Sequence, residues 1–329
     1  MNIGKLRIEL KKNNILSELD SHRLLSDSVL RKKYIELPFS VIDTKTGPWK
    51  QRRKLWYKLG IQSELGRGEK FSSYSGFGSW LDKNDIERFG KKEIAQLNVS
   101  IFDPVLCEIM YEWFCPDKGT ILDPFAGGSV RGIVANVKGF YYIGIDLNSE
   151  QINSNMEQAY TLCKESKSLP VWVQGDANVV LDKIEDESYD FVFSCPPYFD
   201  LEKYTDDEND LSNMSDEDFL INYESIIKKS ISKLKNNRFA CFVVGEVRNK
   251  KGFYRNLVSN TIQMFEKHGC NFYNDMVLLR PIANAGFRVG KQFPNYRKVV
   301  RLHQNVLVFY KGDNHKDIKE IPFNMMEKA

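Results

Sequence analysis

Residues 120–146 read TILDPFAGGSVRGIVANVKGFYYIGID. A short apolar run, Thr120–Asp123, ends in a carboxylate, and Pro124 and Gly127-Gly128 then punctuate a tight turn. Ser129 has the oxygen needed to cap the helix expected over Val130–Val137. A second apolar run, Tyr141–Asp146, again ends in a carboxylate. Strand, glycine turn, helix and strand make a βαβ unit, the crossover that parallel strands require.

The alternation continues outward. Upstream, Asp103-Pro104 is an N-cap and first-turn pair opening a helix through Phe114. Downstream, helices are predicted over Ser149–Cys163, Asp216–Lys235 and Tyr254–Lys267. Strands are predicted over Val171–Gln174, Tyr189–Ser194, Phe239–Val247, Asn271–Leu279 and Asn305–Tyr310. The expectation is an α/β fold: a mostly parallel, doubly wound sheet of seven strands with helices on both faces.

Ligands of such sheets bind beyond the carboxyl ends of the strands. Three successive strands end in acids: Asp123, Asp146 and Asp176, the last in QGDAN. A carboxylate at the second strand end can accept two hydrogen bonds from ribose hydroxyls, worth roughly 1.5–3 kcal/mol each. Asp176 is placed for an adenine amino group. The turn is neither GxGxxG nor a phosphate loop, since no GK[ST] follows. A glycine turn alone fits any tight βα connection, but three acids at three strand ends point to a nucleoside-type cofactor. The fourth strand runs into DFVFSCPPYF, residues 190–199. Two prolines remove two N–H donors and hold their carbonyls in fixed directions. Tyr198 offers a π-face for a base, at roughly 1–3 kcal/mol.

DPFAGG followed by a strand-terminal x-P-P-[Y/F] resembles the signature pair of S-adenosylmethionine-dependent DNA amino-methyltransferases, and the resemblance covers about residues 98–312. It implies a Rossmann-like methyltransferase fold. It assigns Asp123, Pro124, Phe125, Ala126, Gly127 and Gly128 to the methionine-side cofactor loop, Asp146 to the ribose and Asp176 to the neighbourhood of the adenine. Cys195, Pro196, Pro197 and Tyr198 are similar to the catalytic tetrapeptide. Residues 98–114 are similar to the helix leading into the sheet, and HQNVLVFYKG, residues 303–312, to the final strand. The text around the tetrapeptide is similar to phage and prophage methylases.

The implied reaction methylates N6 of adenine or N4 of cytosine in a base flipped out of double-stranded DNA. The Pro196 carbonyl would accept from the exocyclic amine while Tyr198 stacks on the ring. The sequence departs from the family at Cys195, where Asp, Asn or Ser is usual. A thiol is a weak acceptor, so the target base stays open, with cytosine favoured by the closeness of Cys to Ser. Three alternatives accompany this reading: an RNA amino-methyltransferase, a pyrimidine ring-carbon methyltransferase using Cys195, and a non-catalytic nucleic-acid-binding protein.

The 329 residues are 42% hydrophobic and 28% charged, which excludes collagen-like and mostly disordered chains. The net charge of +3 averages over opposed blocks. Residues 45–70 carry eight Lys/Arg against two acids, residues 200–224 ten acids against Lys203, and residues 280–311 seven Lys/Arg and no acid. Basic blocks around an acidic one suit a polyanionic partner. Residues 281–304 are expected to form a basic insertion before the last strand. There Arg288, Lys291, Arg297, Lys298 and Arg301 alternate with Phe287, Phe293 and Tyr296 as DNA contacts. The stretch Trp49–Lys58 reads either as a second contact or as an amphipathic helix packed by Trp49 and Trp56. The acidic stretch Asp200–Asp218 is expected off the duplex, as a flap beside the pocket, and Glu246 and Arg248 line the pocket or pair with each other.

Residues 1–97 read as a mainly helical extension with candidate helices at Lys5–Leu19 and Asp27–Ile35, and a Gly/Ser/aromatic stretch at Phe71–Trp80. No strand alternation is visible there. Residues 313–329 form a tail. Six Cys without CxxC pairs and four scattered His suggest reduced thiols and no metal site. The absence of an apolar leader or spanning run suggests a cytoplasmic protein without membrane association. The oligomeric state is not legible.

Overall fold

The computed structural model describes residues 17–23, 26, 28–62, 102–280 and 285–323. The Phe71–Trp80 stretch and most of Lys5–Leu19 lie outside them. In chain order the elements are α1 (Val29–Tyr34), β1 (Val41–Asp43), α2 (Gly47–Lys58), α3 (Pro104–Phe114), β2 (Thr120–Asp123), α4 (Val130–Val137), β3 (Tyr141–Asp146), α5 (Ser149–Leu162) and β4 (Val171–Gln174). They continue with α6 (Ala177–Leu181), β5 (Tyr189–Ser194), α7 (Asp216–Lys233), β6 (Leu234–Val244), α8 (Leu257–Lys267), β7 (Asn271–Leu279), α9 (Ala285–Tyr296) and β8 (His303–Lys311).

One sheet runs β1-β7-β8-β6-β5-β2-β3-β4. Every pairing is parallel except those of β8, which is antiparallel to both β6 and β7. The chain winds outward from β2 through β3 and β4, then returns to β5 and winds the other way. The order therefore reverses between β2 and β5, which opens a crevice above their carboxyl ends. This is an α/β fold with a doubly wound, mostly parallel, Rossmann-like sheet.

Burial explains why the central strands were legible. All six residues of β5 are buried, so they read as a continuous apolar run. Phe191 and Phe193 enter one core with α2, α3, α4 and α5, while Val192 enters the other with α6, α7 and α8. Two strand-level expectations are corrected. The sheet has eight strands, not seven. The additional one, β1, comes from the segment expected to be helical and pairs Val41 with Val277 and Asp43 with Leu279. Three residues are too few to display a period of two, and only Ile42 is buried.

Residues 28–62 pack on the sheet domain. Helix α2 buries Trp49, Arg52 and Trp56 and leaves Lys50, Lys54 and Lys58 exposed, as the packed-helix reading of that stretch expects. Arg52 grips the fully buried Glu108 of α3 through two contacts of 2.7 Å, and Trp56 Nε1 donates to the same carboxylate at 2.9 Å. Lys138 adds a second cation at 3.3 Å. Burial alone would raise the Glu108 pKa, but Arg52 and Lys138 outweigh it and bring it down to about 2.

The segment between β7 and β8 was expected as an irregular basic insertion, yet Ala285–Tyr296 is a helix containing Pro294. Gly286, Gly290 and Pro294 obscure it, since all three are poor helix formers. Ala285, Val289, Phe293 and Tyr296 carry the overlooked signal, for they fall at helical spacing on one face.

Candidate active site

A cavity of about 250 Å³ lies over the carboxyl ends of the central strands, near the lower end of the roughly 300–1,000 Å³ usual for small-molecule sites. Gly127, Asp146 and Asp176 line one half, and Cys195, Pro196, Pro197 and Tyr198 line the other. Two groups of residues that the sequence singled out separately thus open into one space.

The acid-bearing half is built on the loop after β2. Gly127 has φ of +52°, a conformation glycine adopts without the steric cost of a Cβ. Its N–H donates to Asp146 Oδ2 at 2.7 Å, and Asn148 N–H donates to Asp146 Oδ1 at 2.8 Å. Asp146 therefore holds the glycine loop and its own turn while its carboxylate stays half-buried at the cavity wall. Asp176 caps α6 by accepting from Asn178 N–H at 2.9 Å and also lines the cavity. Pro124, Phe125 and Gly128 line it too.

Asp123 and Ala126, by contrast, lie beneath the lining, each fully buried. Asp123 accepts from Ser194 Oγ at 2.5 Å, Arg131 Nε at 2.5 Å and Tyr142 hydroxyl at 2.7 Å. Its carboxylate is a structural hub joining β2, β3, β5 and α4. Arg131, which sequence reading missed, also donates to the carbonyls of Phe125 and Ala126, at 2.5 and 2.8 Å. The only sequence signal for it is its place eight residues after Asp123. Ser129 makes no side-chain cap; its hydroxyl donates instead to Gln158 Oε1 at 3.1 Å.

In the other half Tyr198 is held on three sides. Its hydroxyl donates to the Val243 carbonyl at 3.2 Å and accepts from Gln304 Nε2 at 2.6 Å. A Cβ on Gly245 would stand 3.0 Å from its ring. The Cys195 thiol lies 3.6 Å from the same hydroxyl. Burial pushes the pKa of Cys195 up, only partly countered by Arg131 and the Tyr198 hydrogen bond, and burial also raises that of Tyr198. Both groups are protonated at neutral pH. Phe199, next in the chain, sits at φ of +56°, an uncommon region for a bulky side chain. It is stacked on Phe219 at 4.2 Å.

Arg280 and Gln304, at the ends of β7 and β8, also line the cavity. Neither was anticipated, because only the antiparallel return of β8 brings Gln304 to Tyr198 across 106 residues of sequence. The acidic stretch forms part of the wall through Leu201, Glu202, Tyr204, Thr205 and Asp210. Asp210 organises it by accepting from the N–H and hydroxyl groups of both Thr205 and Ser212. Glu246 and Arg248 fall outside the cavity lining and do not pair with each other. Glu246 accepts from Val258 N–H at 3.0 Å, and the Arg248 guanidinium lies 3.8 Å over the Tyr254 ring.

The basic segment leaves the cavity rim after Arg280 and returns to it at Gln304. Arg288, Lys291 and Arg297 are exposed, and Lys298 and Arg301 half-buried. Arg301 is turned inward, donating to His303 O and Asn305 Oδ1. Among the described residues no group of His, Cys, Asp and Glu could hold a metal ion, and no helix is long and apolar enough to cross a membrane.

No protein-family model matches the chain, and no curated protein matches it. Solved structures do. A SAM-dependent methyltransferase from Methanosarcina mazei is 13% identical over 66% of this chain and 100% of its own, with a TM-score of 0.43. TrmN from Thermus thermophilus is 14% identical over 64% of this chain and 49% of its own, with a TM-score of 0.42. A candidate DNA modification methylase, also from Thermus thermophilus, is 18% identical over 43% of this chain and 52% of its own, with a TM-score of 0.32, and a second structure of it holds S-adenosyl-L-methionine.

Proposed function

We propose that this protein is an S-adenosylmethionine-dependent methyltransferase that modifies an exocyclic amine, N4 of cytosine or N6 of adenine, in double-stranded DNA. The observation that carries this reading is the single cavity shared by the Asp146/Asp176 half and the Cys195–Tyr198 tetrapeptide. The residues fit the cofactor chemically. Asp146 lines the cavity at the carboxyl end of β3, and a carboxylate is an acceptor-only group, which suits ribose hydroxyls. Gly127, without a side chain, lets the ligand approach the backbone. When bound, S-adenosylmethionine supplies an electrophilic methyl group.

The chain's own part is to orient the nucleophile. Tyr198, clamped on β6 and β8, stacks on the flipped base. The Pro196 carbonyl accepts from the amine and turns its lone pair toward the methyl. Alignment of two reactants accounts for much of such an acceleration. A nucleophilic role for Cys195 on a pyrimidine ring is disfavoured, because burial keeps its thiol protonated and the thiolate is the attacking species. The exposed Arg288, Lys291 and Arg297 support a polyanionic partner, with phosphate contacts extending to Lys298; Arg301 serves the fold of the segment rather than DNA.

Labelled cofactor incubated with mixed-sequence duplex DNA tests the proposal. Transfer into DNA is expected, with Tyr198→Ala abolishing transfer while cofactor affinity by calorimetry stays within about threefold, since only the stacking face is lost. Label passing into RNA or a small molecule instead, or into nothing, overturns it. Neutralising Arg297 and Lys298 together should flatten the salt dependence of DNA binding by a slope of about two.

A further inference from the structure

We infer that the hairpin spanning residues 248–254 is a wedge that enters the DNA stack beside the flipped base, with Phe253 as the inserted side chain. This rests on the reading above, that the cavity receives a base out of duplex DNA.

The hairpin follows β6 and closes through an antiparallel bridge between Arg248 and Tyr254. Asn249 N–H donates to Phe253 O and Gly252 N–H to Asn249 O, both at 2.8 Å. Asn249 Oδ1 accepts from Phe253 N–H at 3.1 Å, and Arg248 Nη1 donates to Gly252 O at 2.9 Å. The stacked Arg248 and Tyr254 close its base. Every turn of this short segment is pinned, yet it holds Phe253 out with 70% of its surface exposed. A large aromatic presented on a rigid tip, between the exposed Lys250 and Lys251 and the Arg248–Tyr254 pair, has no packing role in the fold.

Its placement ties it to the base pocket. Gly245, just before the hairpin, lies against the Tyr198 ring. Arg255, just after it, donates to Asp200 at 2.5 Å and covers the Phe199 ring at 4.8 Å. Both feet of the hairpin therefore stand on residues 198–200, the end of the tetrapeptide and the two residues after it. On its other side the Lys298 ammonium occupies the space where a Cβ on Gly252, at φ of +90°, would stand. Lys250, Lys251 and Lys298 thus gather cations at the hairpin tip, which suits a polyanionic partner. An apolar side chain on such a surface, next to a pocket for an extruded base, matches the way nucleic-acid-binding proteins unstack a base step. Flipping costs a few kcal/mol and least where the base is already unpaired. The wedge should accordingly matter only for paired targets.

The experiment uses the full chain. Methylated positions mapped in DNA from cells expressing the protein define a synthetic duplex carrying the target base either paired or opposite an abasic site. Phe253→Ala should lower transfer to the paired duplex by roughly ten- to a hundredfold and leave transfer to the abasic duplex within about threefold of wild type, as the few kcal/mol of unstacking predict. Phe253→Trp, still aromatic, should stay near wild type on both, and Phe287→Ala on the basic helix should not show the split. Equal loss on both duplexes, no loss on either, or the split appearing in Phe287→Ala alone overturns the wedge while leaving the methyltransferase reading standing. A wild-type protein that methylates no DNA overturns that reading, and the wedge with it.

Discussion

The two halves of the cavity are held in place by different forces. On the β2–β4 side the supports are charges: Asp123 with Arg131 beneath the loop, Asp146 on two backbone amides, and Glu108 with Arg52 and Lys138 below α4. On the β5–β8 side the groups that hold Tyr198 itself are neutral: its hydroxyl lies between Val243 and Gln304, and Gly245 lies against the ring. On the function proposed above, a half that binds ribose hydroxyls needs fixed acceptors, which carboxylates supply, and a half that receives a neutral aromatic amine needs a shaped slot around the stacking ring. The difference explains why acids mark one half in sequence and a Pro-Pro-Tyr run marks the other.

The sharpest way to break this contrast is to remove a buried charge from the first half. Asp123→Asn leaves Arg131 uncompensated in the core and should cost about 3–5 kcal/mol of stability in urea denaturation. A loss below about 1 kcal/mol would mean the hub is dispensable. Acid should probe the same half. The Glu108 pKa lies below its usual 4.5, at about 2. Its stabilising contribution is therefore complete above about pH 4.5 and fades as pH falls toward 2, by something on the order of 3 kcal/mol. Stability curves between pH 6 and 2 should fall less steeply in Glu108→Gln, and parallel curves would refute the coupling. Asp146→Ala should weaken cofactor binding roughly 100-fold by calorimetry, the equivalent of about one to two charged hydrogen bonds. Unchanged affinity would remove Asp146 from the site.

The neutral half should respond more gently and in a different readout. Gln304→Leu frees the Tyr198 hydroxyl on one side and should lower the transfer rate roughly tenfold, in line with one buried hydrogen bond. Cofactor affinity and melting temperature should barely change. A stability loss as large as that of Asp123→Asn would erase the distinction between the halves.

Much of this was legible in the chain because burial writes long signals. Strands such as Tyr189–Ser194, buried on both faces, stand out as apolar runs, and strand ends carry their acids and prolines in fixed order. Position at a strand end did not reveal function by itself, however. Asp123 and Asp146 look alike in sequence, but one is spent inside the fold and the other faces the cavity. Only the third dimension separates them, because Arg131, Tyr142 and Ser194 converge on Asp123 from three elements. Gln304 and Arg280 were illegible for the same reason, and β1 because three edge residues carry no period. The Ala285–Tyr296 helix was hidden by its own glycines and proline.

On the function proposed above, the shared cavity methylates an exocyclic amine of a DNA base. Enzymatic digestion of treated duplex DNA to nucleosides, followed by mass spectrometry, tests it most directly. The expected product is N4-methyldeoxycytidine or N6-methyldeoxyadenosine, absent with Tyr198→Ala. A ring-carbon product such as 5-methyldeoxycytidine, or unmodified DNA from a protein that still binds the cofactor, would contradict it.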